Sequence, residues 1–145
     1  MAQDKDAARH RVDLQGEIDS ASLYRALADA EADPQSSAIF RKLAALEDAH
    51  AEFWRKNLNQ IGAQIPAQHP RWRSRILAGL ARRFGPEFAP PSINVLEHVD
   101  RDAYGQQPEA VERGLPAAER SHARVLDVLA GKSGVRSRSA RMRPP

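Results

Sequence analysis

Glu47-Asp48-Ala49-His50 and Glu119-Arg120-Ser121-His122 are two copies of one pattern, Glu-x-x-His, and they decide how the chain is read. Each copy is preceded by a lone glutamate with a tyrosine seven residues further on: Glu17 and Tyr24 before the first, Glu97 and Tyr104 before the second. Seven residues are two turns of helix, so each tyrosine shares a face with its glutamate. A Glu and a His three residues apart also share a face. The chain therefore offers four carboxylates and two imidazoles from helix faces, the donor types that Fe(II) and Mn(II) favour.

The spacing between the sets carries the same message. Residues equidistant from the turn of an antiparallel helical hairpin sit side by side. The midpoint of Glu17 and Glu47 is Ala32, next to Asp33-Pro34, a helix N-cap followed by proline at the first helical position. The midpoint of Glu97 and Glu119 is Pro108, just after Gly105-Gln106-Gln107. Both hairpins would thus bring a lone glutamate level with its Glu-x-x-His. Glutamates and histidines delivered this way match the ligand set of a di-iron or di-manganese carboxylate site in a ferritin-like four-helix bundle.

At 145 residues the chain fits one domain with a sizeable core. Few aromatics and many alanines and leucines favour helices. The absence of cysteine excludes a disulfide scaffold, a Cys-ligated zinc and a rubredoxin-type iron centre within the chain. Met1-Ala2-Gln3-Asp4-Lys5-Asp6 has no apolar core and is not a signal peptide, and no run reaches transmembrane length. The expected setting is cytoplasmic, with membrane association as an alternative. The net charge of +3 is concentrated in residues 71–83 and 132–143, so it is weak evidence for nucleic acid, and no nucleic-acid partner is expected.

Helix 1 is expected over about residues 7–31, with Glu17, Ala21, Tyr24 and Ala28 in one stripe and Ile18 and Leu27 beside it. Helix 2 is expected from Pro34 to about Gln60 with Gly62 as its stop. Its inner face would carry Ile39, Leu43, Leu46, Glu47, His50, Phe53, Trp54 and Ile61. Residues 63–70 read as a loop, and 71–84 as a short basic amphipathic helix ended by Gly85-Pro86. Helix 3 would run from near Pro90-Pro91-Ser92 to near Gly105. A helical turn over 108–113 and a break at Gly114-Leu115-Pro116 would precede the last helix, about 116–130. The fold class is all-α: two antiparallel hairpins joined by a long crossover that contains the short helix. Residues 1–131 would form the di-metal domain and 132–145 a basic, disordered tail.

Within this frame Glu47 and Glu119 are the natural bridging carboxylates, because they share helices with the histidines. Glu17 and Glu97 would be terminal ligands, and His50 and His122 would each cap one metal. Asp100, three residues after Glu97, faces the same site as an additional ligand. Tyr24 and Tyr104 would hydrogen-bond a ligand carboxylate or donate an electron; for Tyr24 the competing reading is a core side chain. The bland alternative for the glutamates is a solvated helix face, since Glu is mostly exposed. It weakens for the set as a whole: Glu47 sits among Leu43, Leu46, Phe53 and Trp54, and burying carboxylates without a cation costs several kcal/mol each. His10 and His98 are expected to be exposed, and His69 to lie in a loop.

The pattern resembles the rubrerythrin and ferritin-like superfamily. More closely it resembles the ferritin-like domain that precedes the vacuolar-iron-transporter-like part of membrane-bound ferritins. The resemblance spans about residues 11–130 and rests on 17–25, 47–54, 81–86 and 119–123. It implies that Glu17, Glu47, His50, Glu97, Glu119 and His122 hold two iron ions, manganese being the alternative. Asp100 then takes the place of an additional carboxylate, one methylene shorter. It also implies oxidation of Fe(II) by oxygen or hydrogen peroxide, for iron handling or peroxide defence. Relatives continue into membrane helices where this chain has a basic tail, so iron transport is not assigned to it. A membrane surface or a membrane transporter remains a candidate partner.

Four functions follow. The leading one is a ferroxidase-type di-iron oxidoreductase. The others are a rubrerythrin-like peroxidase with an external electron donor, a non-enzymatic metal-sensing or interaction module, and a metal-free bundle whose basic segments touch a membrane or nucleic acid. A homodimer is expected, the break at 114–116 letting the last helix pack on a neighbour. The basic helix has two readings: Trp72, Ile76, Leu80 and Phe84 pack on the bundle, or they lie in a membrane interface with the arginines at the headgroups.

Overall fold

A computed structural model describes residues 2–85, 106–115, 117–118, 120–122 and 124–129. Contacts divide the chain into two compact units, Met1–Gly85 and Pro86–Pro145. The chain is all-α, and no strand occurs among the described residues.

In the first unit α1 spans Ala2–Ala30 and α2 spans Pro34–Gln60. α1 begins earlier than its apolar pattern suggests. Asp4 complements the positive helix end, and Gln3 Nε2 donates to the Ile61 carbonyl at 2.8 Å, tying the first turn to the end of α2. The turn between the helices is built by Asp33, whose carboxylate accepts from the Ser36 N–H at 3.0 Å and the Ser36 hydroxyl at 2.7 Å. Pro34 follows at the first helical position, where a missing N–H costs nothing. α2 ends as Gly62 predicts. With φ at 66°, Gly62 donates its N–H to Asn59, and Ala63 donates to Leu58, the paired bonds of a Schellman stop.

The two helices form an antiparallel hairpin whose core includes Leu14, Ala21, Tyr24, Leu27, Phe40, Leu43, Ala51, Trp54 and Leu58. The expected inner face of α2 is right at Leu43, Glu47 and Trp54, while Ile39, His50, Phe53 and Ile61 are half-buried. It is wrong at Leu46, which is 45 % exposed. Ser36, Phe40 and Ala44 are buried instead, because the contact stripe is rotated from Leu46 by the packing of α1.

Residues 61–70 reverse direction and run parallel to α1, fastened by Arg11 Nε to the Gln64 carbonyl and Gln15 Nε2 to the His69 carbonyl, each 3.0 Å. Asp19 completes the line. Its carboxylate accepts the Arg71 N–H at 2.7 Å and Arg71 Nε at 2.6 Å, just where α3 (Trp72–Phe84) begins. That helix start lacks a side-chain cap of its own, so a carboxylate from α1 stands at its positive end. α3 continues along α1, with Arg82 3.7 Å from Asp29.

α3 seats its large apolar side chains only in part, with Leu77 and Leu80 half-buried. Ala78 and Ala81 are buried against the hairpin, whereas Trp72, Ile76 and Phe84 are 65 %, 54 % and 62 % exposed. The expectation that the apolar stripe packs on the bundle is thereby corrected at Trp72, Ile76 and Phe84, while Leu80 is half-buried. Small residues allow close helix approach, and the three exposed side chains face outward.

In the second unit α4 spans Pro108–Glu112, and Gly114, with φ at 73°, turns the chain. The Gly114 carbonyl accepts from Ala117 and Ala118, each at 3.1 Å, and restarts a helix. Its described residues bury Leu115, His122, Leu126 and Leu129 along one face. The helix expected from Pro90 to Gly105 and the tail after Gly131 lie outside the described residues. Among the described residues no helix is long and apolar enough to cross a membrane.

Candidate metal centre

The hairpin sets Glu17 of α1 beside Glu47 and His50 of α2, and one ligand atom from each lies within 4.8 Å of the others. His50 Nδ1 is 3.6 Å from Glu17 Oε2 and 3.6 Å from Glu47 Oε2. Both carboxylates are almost fully buried, at 3 % and 1 % exposure, and His50 is half-buried.

Two carboxylates at this depth are electrostatically unfavourable. Burial pushes the Glu17 carboxyl well above its ordinary range, and both the hydrogen bond to Glu47 and that group's negative charge push it further. The nearby His50 pulls it partly back. Glu17 therefore holds its proton more tightly than an exposed glutamate does. A divalent cation would replace that proton and offset the repulsion, and carboxylate oxygen with imidazole nitrogen suits iron or manganese. The donor set thus fits a metal on charge and on ligand chemistry.

The surroundings keep the site dry. Ala21 and Tyr24 follow Glu17 on the same face of α1 and are buried, and Leu43, Ala51 and Trp54 flank the motif on α2. Tyr24 is 1 % exposed, at the depth of the carboxylates. The half-buried His50 is the most open of the three residues.

Of the residues expected in a site, Glu17, Glu47 and His50 are brought together, with Tyr24 two turns along. His122 is buried within the second unit. Glu97, Asp100, Tyr104 and Glu119 lie outside the described residues. His69 is exposed in its loop as expected. His10 is not: it is 5 % exposed, with its ring 5.1 Å from that of Trp54. Asp13, three residues on, is also buried. His10, Asp13 and Glu17 share one face of α1, a spacing that could have marked both residues as neighbours of the centre. Asp19 was also missed; its signal, a carboxylate two residues after a ligand, has no sequence link to Arg71.

Comparison with known proteins adds one finding. Neither the curated proteins nor the solved structures give a match. Residues 12–73, which contain Glu17, Tyr24, Glu47 and His50, match the Rubrerythrin family model, and this supports a place for the chain in the rubrerythrin and ferritin-like superfamily.

Proposed function

We propose that this chain is a di-iron carboxylate protein that oxidises Fe(II) with oxygen or hydrogen peroxide. The buried Glu17–Glu47–His50 cluster carries the reading. Iron, when bound, would supply the Fe(II)/Fe(III) couple. The residues supply the rest. Glu47, beside its helix neighbour His50, would hold metal jointly with Glu17. Glu17 would give up its proton as a cation enters. The buried surroundings exclude bulk water and strengthen every charge interaction inside. Tyr24, buried two turns from Glu17, would hydrogen-bond a carboxylate or donate an electron during oxidation.

The full proposed ligand set adds Glu97, Glu119 and His122, with Asp100 as a further carboxylate and Tyr104 as the counterpart of Tyr24. Two iron ions would then be held by four glutamates and two histidines, the composition of a di-metal carboxylate site. A rubrerythrin-like peroxidase is the second reading, and the lack of cysteine means that its electrons must come from a separate donor.

Fe(II) titration with and without oxygen, followed by absorbance, tests the proposal. Saturation at two Fe(II) per site and oxidation faster than in protein-free buffer are expected. Saturable binding without oxidation would instead favour a metal-sensing module. No saturable binding, or oxidation unchanged by Glu47→Ala, would refute the proposed function.

A further inference from the structure

The outward face of α3 joins two features that one partner explains. Trp72 and Ile76 are exposed on the side away from Ala78 and Ala81, and Phe84 is exposed at the helix end. The same short stretch carries Arg71, Arg73, Arg75, Arg82 and Arg83 and no acid. Arg71 is held by Asp19, and Arg82 lies near Asp29. Arg73, Arg75 and Arg83 are exposed and form no ion pair with a described acid. The guanidinium of Arg73 lies 5.3 Å from the Trp72 ring centre, and that of Arg83 lies 5.5 Å from the Phe84 ring centre. Charge and aromatic surface are therefore offered at one level along the helix.

We propose that this face docks on an anionic lipid bilayer surface, independently of the metal centre. A protein partner would have to set acids opposite the exposed arginines around an apolar seat shaped to Trp72 and Ile76, whereas a bilayer surface supplies anionic groups and an apolar layer together. A second copy meeting this face across a two-fold axis would set arginine against arginine. Nucleic acid would satisfy the arginines, but Ile76 would gain little from it. An anionic bilayer satisfies both. Trp72 and Phe84 sit at headgroup depth, Ile76 enters the acyl boundary, and the arginines reach the lipid phosphates along their apolar stems. The two arginines that are tied down face acids of α1, which leaves the three others directed to the surface.

Co-sedimentation of the full chain with vesicles of phosphatidylcholine, alone or mixed with phosphatidylserine, tests this at low and high salt. Binding to the mixed vesicles at low salt is expected, with weak binding to phosphatidylcholine alone and loss at high salt. Arg73→Gln with Arg75→Gln and Arg83→Gln should weaken binding roughly a hundredfold, from about fivefold per arginine. Trp72→Ala with Ile76→Ala should weaken it about tenfold or more, without loss of fold, because both side chains are exposed. The Trp72 emission should shift to the blue on binding, and Trp72→Phe should abolish that shift, since Trp54 is already buried. The proposal is overturned by absence of binding at low salt, or by binding that the Trp72–Ile76 variant retains. It is overturned equally if that variant changes the oligomeric state, which would make the face a contact between copies. Tighter binding to duplex DNA at equal phosphate concentration would assign the face to nucleic acid instead.

Discussion

Replacing Glu17 by glutamine should stabilise the metal-free protein while abolishing its response to metal. The glutamine side chain is close in shape to a protonated glutamate and can still donate a hydrogen bond toward Glu47. The change removes only the need to ionise a side chain that is 3 % exposed beside a second carboxylate. The linkage has a definite sign. The folded-state pKa of Glu17 is raised above its ordinary 4.5, so the advantage of its neutral form is fully present below that pH. It is lost as pH rises through the folded value. Wild type and Glu17→Gln should therefore be equally stable in acid and diverge as pH increases. Relief of the cost of either protonating or ionising this carboxyl on folding is worth at most about 3 kcal/mol at neutral pH, from about 1.4 kcal/mol per pH unit above the ordinary value. At about 2–4 °C per kcal/mol for a chain of this size, the variant should melt several degrees higher at neutral pH. Metal acts in the opposite direction, because a cation at a hundred times its Kd adds about 2.7 kcal/mol to the wild type and little to the variant. Thermal melts in chelator and in anaerobic Fe(II), across the pH range, read both effects. A variant less stable than wild type in chelator at neutral pH would show that the carboxylates are not in tension. A stability difference independent of pH would refute the ionisation argument.

Metal analysis after reconstitution should find both ions lost in Glu47→Ala but one mainly weakened in His50→Ala; two tightly held ions in Glu47→Ala would remove its shared role. Tyr24→Phe should leave metal content unchanged and alter only the time course of oxidation seen by stopped-flow absorbance, and unchanged kinetics would return Tyr24 to a purely structural place in the core. Asp33→Ala should cost about 1 kcal/mol in denaturant unfolding, because the carboxylate caps α2 through Ser36. A homodimer is expected by light scattering at micromolar concentration, and a monomer alone would exclude it.

How much of this was legible in the chain depends on the range of the forces involved. The ends of α2 and the turn before it were readable because Asp33, Pro34 and Gly62 act on their own neighbours, through a cap, a preset φ and a left-handed stop. Glu17, Glu47 and His50 were readable because an antiparallel hairpin with a known turn leaves one register open, and the ligand spacing met it. Other features needed the third dimension. Leu46 and Phe40 are both apolar, and only the position of α1 decides that Phe40 is buried and Leu46 faces out. His10 has no local reason to be buried until Trp54 from the far end of α2 lies over it. Asp19 gains its part only when α3 begins beside it, 52 residues later in the chain. α3 itself reads as an amphipathic helix with an apolar seat, yet its small alanines are its buried residues while Trp72, Ile76 and Phe84 stay in solvent. Helix-forming and capping signals act over a few residues and survive in the sequence. Which face meets which, and how closely, is set by contacts between segments distant in the chain, and only the folded structure decides it.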